Sequence, residues 1–174
     1  LKETCNQIKD IMGSPEVLIH NAVKGNFEKL LEGKPEWLEE NFRINTTSLM
    51  YLAHELIPDM IKNKKGVIIV TGNTAAKRGV ASTPYFAPTK AAQRILAQSL
   101  AKDFGPKGIH VAYIMIDAFI NTPWTRKRIP AQIDQPDIIF TQPVDIAEEI
   151  FHVAHQKRSA WSFDVEIRPD IEKW

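Results

Sequence analysis

The sequence predicts an α/β domain built on a parallel β-sheet, and three observations predict it. Short apolar runs, "VLIH" at 17 to 20, "GVIIVT" at 66 to 71 and "IHVAYIMI" at 109 to 116, alternate with amphipathic segments of helical length. Their continuous apolar character marks strands covered on both faces, as in parallel sheets. Each connection is long enough to carry a helix back across the sheet, and no repeat or low-complexity tract interrupts the alternation.

The elements follow in order. Leu1, Cys5, Ile8 and Met12 recur at helical spacing until Gly13, so the chain opens inside an amphipathic helix. "VLIH" reads as a buried strand. A loop with Gly25 and Gly33 leads to Pro35, which suits the first turn of a helix running to about Lys62 with the stripe Leu38, Phe42, Leu49, Leu52, Leu56 and Met60. Pro58 is expected to bend its last turn. The strand at 66 to 71 gives way to the loop "GNTAAKRGVAST", and a helix starts at Pro84 and closes at Gly105. After the strand at 109 to 116 the pattern breaks down from Asp117 to Gln142, around Pro123, Trp124, Arg126-Lys127-Arg128, Pro130 and Pro136. A long irregular stretch of this kind reads as a lid over a substrate. A helix at 143 to 156 and a strand at 163 to 167 complete the series.

Composition narrows the function. A formal net charge of +1 with 25% charged residues gives no electrostatic footprint for nucleic acid. The longest apolar run, "VIIV", is far short of a membrane span. Cys5 is the single cysteine, which excludes an internal disulfide and fits a reducing, cytoplasmic setting. The sequon "NTT" at Asn45 falls inside a helical pattern and is read as structural. His152 and His155 lie three apart on the last helix with no third ligand in view, so an ordinary exposed helix accounts for them better than a metal.

The chemistry centres on "YFAPTKAA". Phe86 and Lys90 are four apart and share a helix face, while Tyr85 is five before the lysine, about 140° round the helix. Tyr85 is therefore expected to point away from Lys90.

These residues resemble the short-chain dehydrogenases/reductases. "VLIHNA" is similar to the family's strand and Asn-Ala-Gly turn, with Val23 in place of Gly; "FRIN" puts Asn45 at the family's helical Asn. Asn73 stands thirteen residues before Phe86, where the family has Ser and Tyr. Lys90 matches the family Lys, and "DAFINT" follows the next strand with Asp117-Ala118 replacing Pro-Gly and Thr122 retained. "TGNTAAKRG", "FAPTKAA" and "LAQSLAKDFGPKGIHVA" resemble a subgroup that also carries Phe at the Tyr position.

The resemblance implies a Rossmann-like doubly wound parallel sheet, a single domain over 1 to 174, and oxidoreduction of an unknown carbonyl or alcohol with NAD or NADP. It implies Asn45, Asn73, Phe86 and Lys90 as the catalytic positions, and Asn21, Ala22, Lys90 and Thr122 as cofactor contacts. It also implies a small-molecule substrate and a homo-dimer or homo-tetramer paired through the helices at 36 to 62 and 84 to 104. The alternative is a catalytically degenerate relative that binds nucleotide or supports an oligomer, because Phe86 cannot donate a proton and Asn73 cannot shuttle one as a hydroxyl can. No Gly-rich turn between a first strand and helix occurs in the sequence. About 70 to 90 residues of strand and helix precede the corresponding helix in the family, at 30 or more per βαβ unit. Only the C-terminal part of the fold, about four strands, is therefore expected here. Nucleotide binding by these 174 residues is expected to be weak or absent, and the choice between NAD and NADP is not legible.

Overall fold

The computed structural model describes residues 1–128 and 140–171. Four strands, β1 (Val17–His20), β2 (Gly66–Asn73), β3 (Ile109–Ile116) and β6 (Asp164–Ile167), form one parallel sheet in the order β1-β2-β3-β6. The central pair alternates its side chains between two cores. Ile68, Val70, Val111, Tyr113 and Met115 pack on α1 (Lys2–Met12), α3 (Ser48–Asn63) and α4 (Ala87–Phe104). Ile69, Ala112, Ile114 and Ile116 pack on Ile146 and Val153 of α6 (Pro143–Ala154). Helices on both faces explain why these strands read as unbroken apolar runs, each fully buried aliphatic side chain contributing about 1.5–3 kcal/mol. This is the expected doubly wound parallel α/β sheet.

Local differences from the sequence reading have physical causes. β1 is an edge strand rather than a buried one: Ile19 is 50% exposed, and only His20 of its four residues is buried. Among the described residues, β2 is its sole strand neighbour. The helix from Pro35 is interrupted: α2 (Glu36–Phe42) runs into a π-helical turn at Arg43–Thr47 before α3 begins. β2 extends two residues past Thr71, so Asn73 ends a strand rather than opening a loop, because the register with β3 continues to Asn73↔Ile116. α4 starts at Ala87, not Pro84; Thr83 to Phe86 form a turn closed by Phe86 N–H to Thr83 O and by the Thr83 hydroxyl to Val80 O.

The stretch from Asp117 is only partly irregular. β4 (Phe119–Ile120) pairs in parallel with β5 (Phe140–Thr141), and Thr122 caps α5 (Pro123–Arg128) through its hydroxyl and Thr125 N–H at 3.1 Å. Pro130 and Pro136 lie outside the described residues. His155 stacks on Phe151 at 4.0 Å and its Nδ1 hydrogen-bonds with Phe151 O at 2.8 Å. The described residues contain no group of three His, Cys, Asp or Glu side chains placed to hold a metal, and no helix among them is long and apolar enough to cross a membrane.

Close approach in the sheet is set at Gly72. A Cβ built there lies 1.8 Å from the Tyr113 hydroxyl oxygen and 2.0 Å from its Cζ, and Tyr113 is fully buried. Gly72→Ala is expected to destabilise the fold by about 3 kcal/mol, the upper end of overpacking costs. Gly79→Ala, where a Cβ meets nothing within 4 Å, is expected to stay within about 0.5 kcal/mol. Urea midpoints of the two variants check the contrast.

Candidate active site at the carboxyl ends of the strands

Ligands of open α/β sheets bind beyond the carboxyl ends of the strands, and there Asn21 follows β1, Asn73 ends β2, and α4 begins beside them. The turn before α4 sends two adjacent aromatics in different directions. Phe86 is 2% exposed, its ring 4.9 Å from that of Phe27 and tilted by 55°. Tyr85 turns the other way: its hydroxyl donates to Leu30 O at 2.5 Å, its ring meets Trp37 edge-on at 5.7 Å, and its carbonyl accepts from Asn41 Nδ2 at 2.9 Å. The phenol is thus committed to the loop below and stands apart from Lys90.

Lys90 is 2% exposed. Its ammonium donates to Thr71 O at 3.1 Å and to Gln93 Oε1. Burial pushes it down to about 8. Behind it, Gln93 Nε2 lies 3.0 Å from His20 Nδ1, and His20 Nε2 lies 2.7 Å from the Ser48 hydroxyl, which donates to Ile44 O at 2.6 Å. Burial first, and the nearby Lys90 charge second, lower His20 to about 4. Gln93, His20 and Ser48 escaped the sequence reading. The available signal was a Gln one helical turn after the lysine and a His closing an apolar strand.

Asn45 lies in the π-helical turn, fully buried. Its Oδ1 accepts Lys24 N–H, and its Nδ2 donates to Lys24 O and Thr89 Oγ1, all at 2.8 Å. Thr46 adds a 2.8 Å bond to Thr89 O. One amide therefore ties the loop after β1 to the first turn of α4, and the π turn coincides with these anchors, as π turns do at functional sites. Asn21 Oδ1 accepts from the Thr71 hydroxyl at 2.7 Å, bridging β1 and β2, while Ala22 is exposed beside Ile44, Ser48 and Tyr51. Asn73 Oδ1 is buried with no partner among the described residues.

Of the basic run, Arg126 reaches Asn121 Oδ1 at 2.7 Å and stacks over Phe140 at 4.2 Å. Arg128 lies over Trp124 at 5.1 Å and Phe27 at 5.9 Å. The segment expected to form a lid thus touches the aromatic that covers Phe86.

Comparison with known proteins agrees with this architecture. A family model described as short chain dehydrogenase matches residues 1–132, and the chain belongs to that family. An uncharacterized oxidoreductase of Bacillus subtilis is 23% identical over 83% of the chain and 61% of its own length, so the chain spans about three fifths of that relative. Among solved structures, a short-chain dehydrogenase from Rhodopseudomonas palustris superposes with a TM-score of 0.77 at 27% identity, over 97% of this chain and 68% of that one. An NADPH-bound short chain oxidoreductase from Pseudomonas aeruginosa, described as containing an atypical catalytic center, superposes with a TM-score of 0.86 at 17% identity, over 99% and 72%.

The buried imidazole makes stability fall in acid. His20 is neutral in the fold down to about pH 4 but titrates near 6.5 when unfolded. Protons therefore favour the unfolded chain below about 6.5, and stability from this group is lost as pH falls toward 4, by at most about 3 kcal/mol. Urea midpoints between pH 7 and 4 should drop less in His20→Gln than in the wild type.

Proposed function

We propose that the protein is a nicotinamide-dependent oxidoreductase acting on a small carbonyl or alcohol, with its site at Lys90. The observation that carries the reading is a buried ammonium at the carboxyl end of β2, held by two acceptors among the described residues and facing the segments that carry Asn21, Asn45 and Asn73. Family membership supports it, as does the NADPH bound to the Pseudomonas aeruginosa relative.

The residues present fit a nicotinamide nucleotide on two observations. Lys90 has three N–H bonds and spends two on the protein, and the orphaned Asn73 Oδ1 offers an acceptor where the strands end. Lys90, Asn21, Ala22 and Thr122 would hold the nucleotide, which supplies or takes the hydride when bound. Lys90 then brings positive charge to the place where an alkoxide oxygen forms, and its ammonium, lowered to about 8, is a proton donor matched to neutral pH. Asn73 orients the substrate hydroxyl or carbonyl. Asn45 keeps the loop at Lys24 against α4, and Phe86 excludes water. The described parts of the segment after β3, 117–128 and 140–142, serve as lid, and two copies pair through the helices at 36 to 62 and 84 to 104, where Met50, Tyr51, Ile61 and Ile95 are exposed.

A second reading has its own observation. The Phe86 ring is sealed beneath Phe27, and no hydroxyl replaces the family phenol, which favours a relative that binds nucleotide without turnover. Two measurements separate them. Titration with NADH and NADPH, followed by nicotinamide fluorescence, should show an affinity that Lys90→Ala lowers at least about tenfold, a loss of 1.4 kcal/mol. In a form of the protein that carries the family's Gly-rich turn, absence of any binding removes the oxidoreductase reading. Phe86→Tyr combined with Asn73→Ser should raise carbonyl reduction by about 10² or more, the scale of a positioned general acid, and the single changes by less.

A further inference from the structure

The chain of contacts behind Lys90 has one internally consistent set of hydrogen positions. An ammonium only donates, so the Gln93 atom facing Lys90 is its carbonyl oxygen. That choice turns the Gln93 NH₂ toward His20 Nδ1, 3.0 Å away, which must then accept. A neutral imidazole accepting at Nδ1 carries its proton on Nε2, and this donates to the Ser48 oxygen at 2.7 Å. Ser48 is left to donate its own proton to Ile44 O at 2.6 Å, inside the π turn that bears Asn45. Every donor points away from the ammonium, and Lys90, Gln93 and His20 are all buried.

We propose that Gln93 and His20 are positioning residues for Lys90: His20, held as the Nε2–H tautomer, locks the Gln93 amide, and Gln93 holds the ammonium at the carboxyl end of β2. The role rests on the oxidoreductase reading for its purpose and on the chain of contacts for its existence. The site has no phenol beside the lysine, so the orientation that such a neighbour would share in falls to Gln93 and to Thr71 O. The donation of Ser48 to Ile44 O sets the same direction from the other end, so the chain presents an acceptor to the ammonium from both of its anchors.

The test is by nitrogen NMR on the whole chain. In the wild type at pH 7, two-bond proton–nitrogen correlations should show His20 neutral with Nδ1 bare. A neutral Nδ1–H tautomer or an imidazolium there overturns the proposal, without any variant that might fail to fold. Gln93→Glu supplies the second measurement, because a carboxylate accepts from Lys90 but has no proton for His20 Nδ1. His20 should then take a proton on Nδ1, and the Lys90 midpoint, followed through a labelled lysine side chain, should rise by at least about one pH unit. An unchanged Lys90 midpoint in the folded variant also overturns the proposal. Failure of NADH and NADPH to bind a form that carries the family's Gly-rich turn, with both NMR results as expected, removes the oxidoreductase reading and leaves the positioning intact. In a wild type that does bind nucleotide, Gln93→Leu should weaken binding at least about fivefold, and equal affinity counts against the proposal.

Discussion

The burial of one ammonium organises this molecule. Taking a lysine charge out of water costs several kcal/mol unless the surroundings supply oriented acceptors. At Lys90 those acceptors come from two elements: the Thr71 carbonyl on β2 and the Gln93 side chain on α4. Gln93 keeps its oxygen toward the charge because His20, at the end of β1, occupies its nitrogen, and His20 is fixed in turn by Ser48 at the start of α3. Two strands and two helices are thereby referenced to a single charge. A neutral His20 is part of the arrangement: burial first, and the Lys90 charge second, hold its titration down.

The same corner of the fold shows how a one-residue shift in sequence changes chemistry. Tyr85 and Phe86 are neighbours in a tight turn before α4, so their side chains diverge by geometry alone. The phenol goes into the loop at Leu30 and Trp37, where its hydroxyl is satisfied. The ring without a hydroxyl goes under Phe27, in a place where a phenol would need a partner. Arg128 extends this apolar cover, linking the segment after β3 to Phe27 by cation–π contact. The site therefore has a dry aromatic wall and polar handles at Lys90 and Asn73.

Asn45 carries a different burden. A helix-interior Asn is unfavourable, and its position inside a π turn resolves the difficulty by giving its amide tertiary partners: both backbone groups of Lys24 and the hydroxyl of Thr89. The loop after β1 is tied to α4 by that side chain at Lys24 and by Phe27 against Phe86 further along. Ile44, the carbonyl at the far end of the Lys90 chain, belongs to the same turn. The two polar networks of the site thus meet in five residues.

Much of this was legible in the sequence. The apolar runs at 66 to 71 and 109 to 116 determined the core of the parallel sheet, because a strand covered on both faces leaves no alternation and a parallel return leaves room for a helix. The spacing of Tyr85 against Lys90 predicted that the phenol points away from the lysine, and its hydroxyl bonds Leu30 O instead. The helix starting at Ala87 and the extension of β2 to Asn73 depended on contacts between distant segments. The network of Lys90, Gln93, His20 and Ser48 did too: its members come from three elements, β1, α3 and α4, and span residues 20 to 93. Local periodicity records which face of an element is buried, but it holds no information about which buried polar groups from separate elements meet. The need to satisfy each of them once water is excluded decided that, and only the tertiary structure could express it.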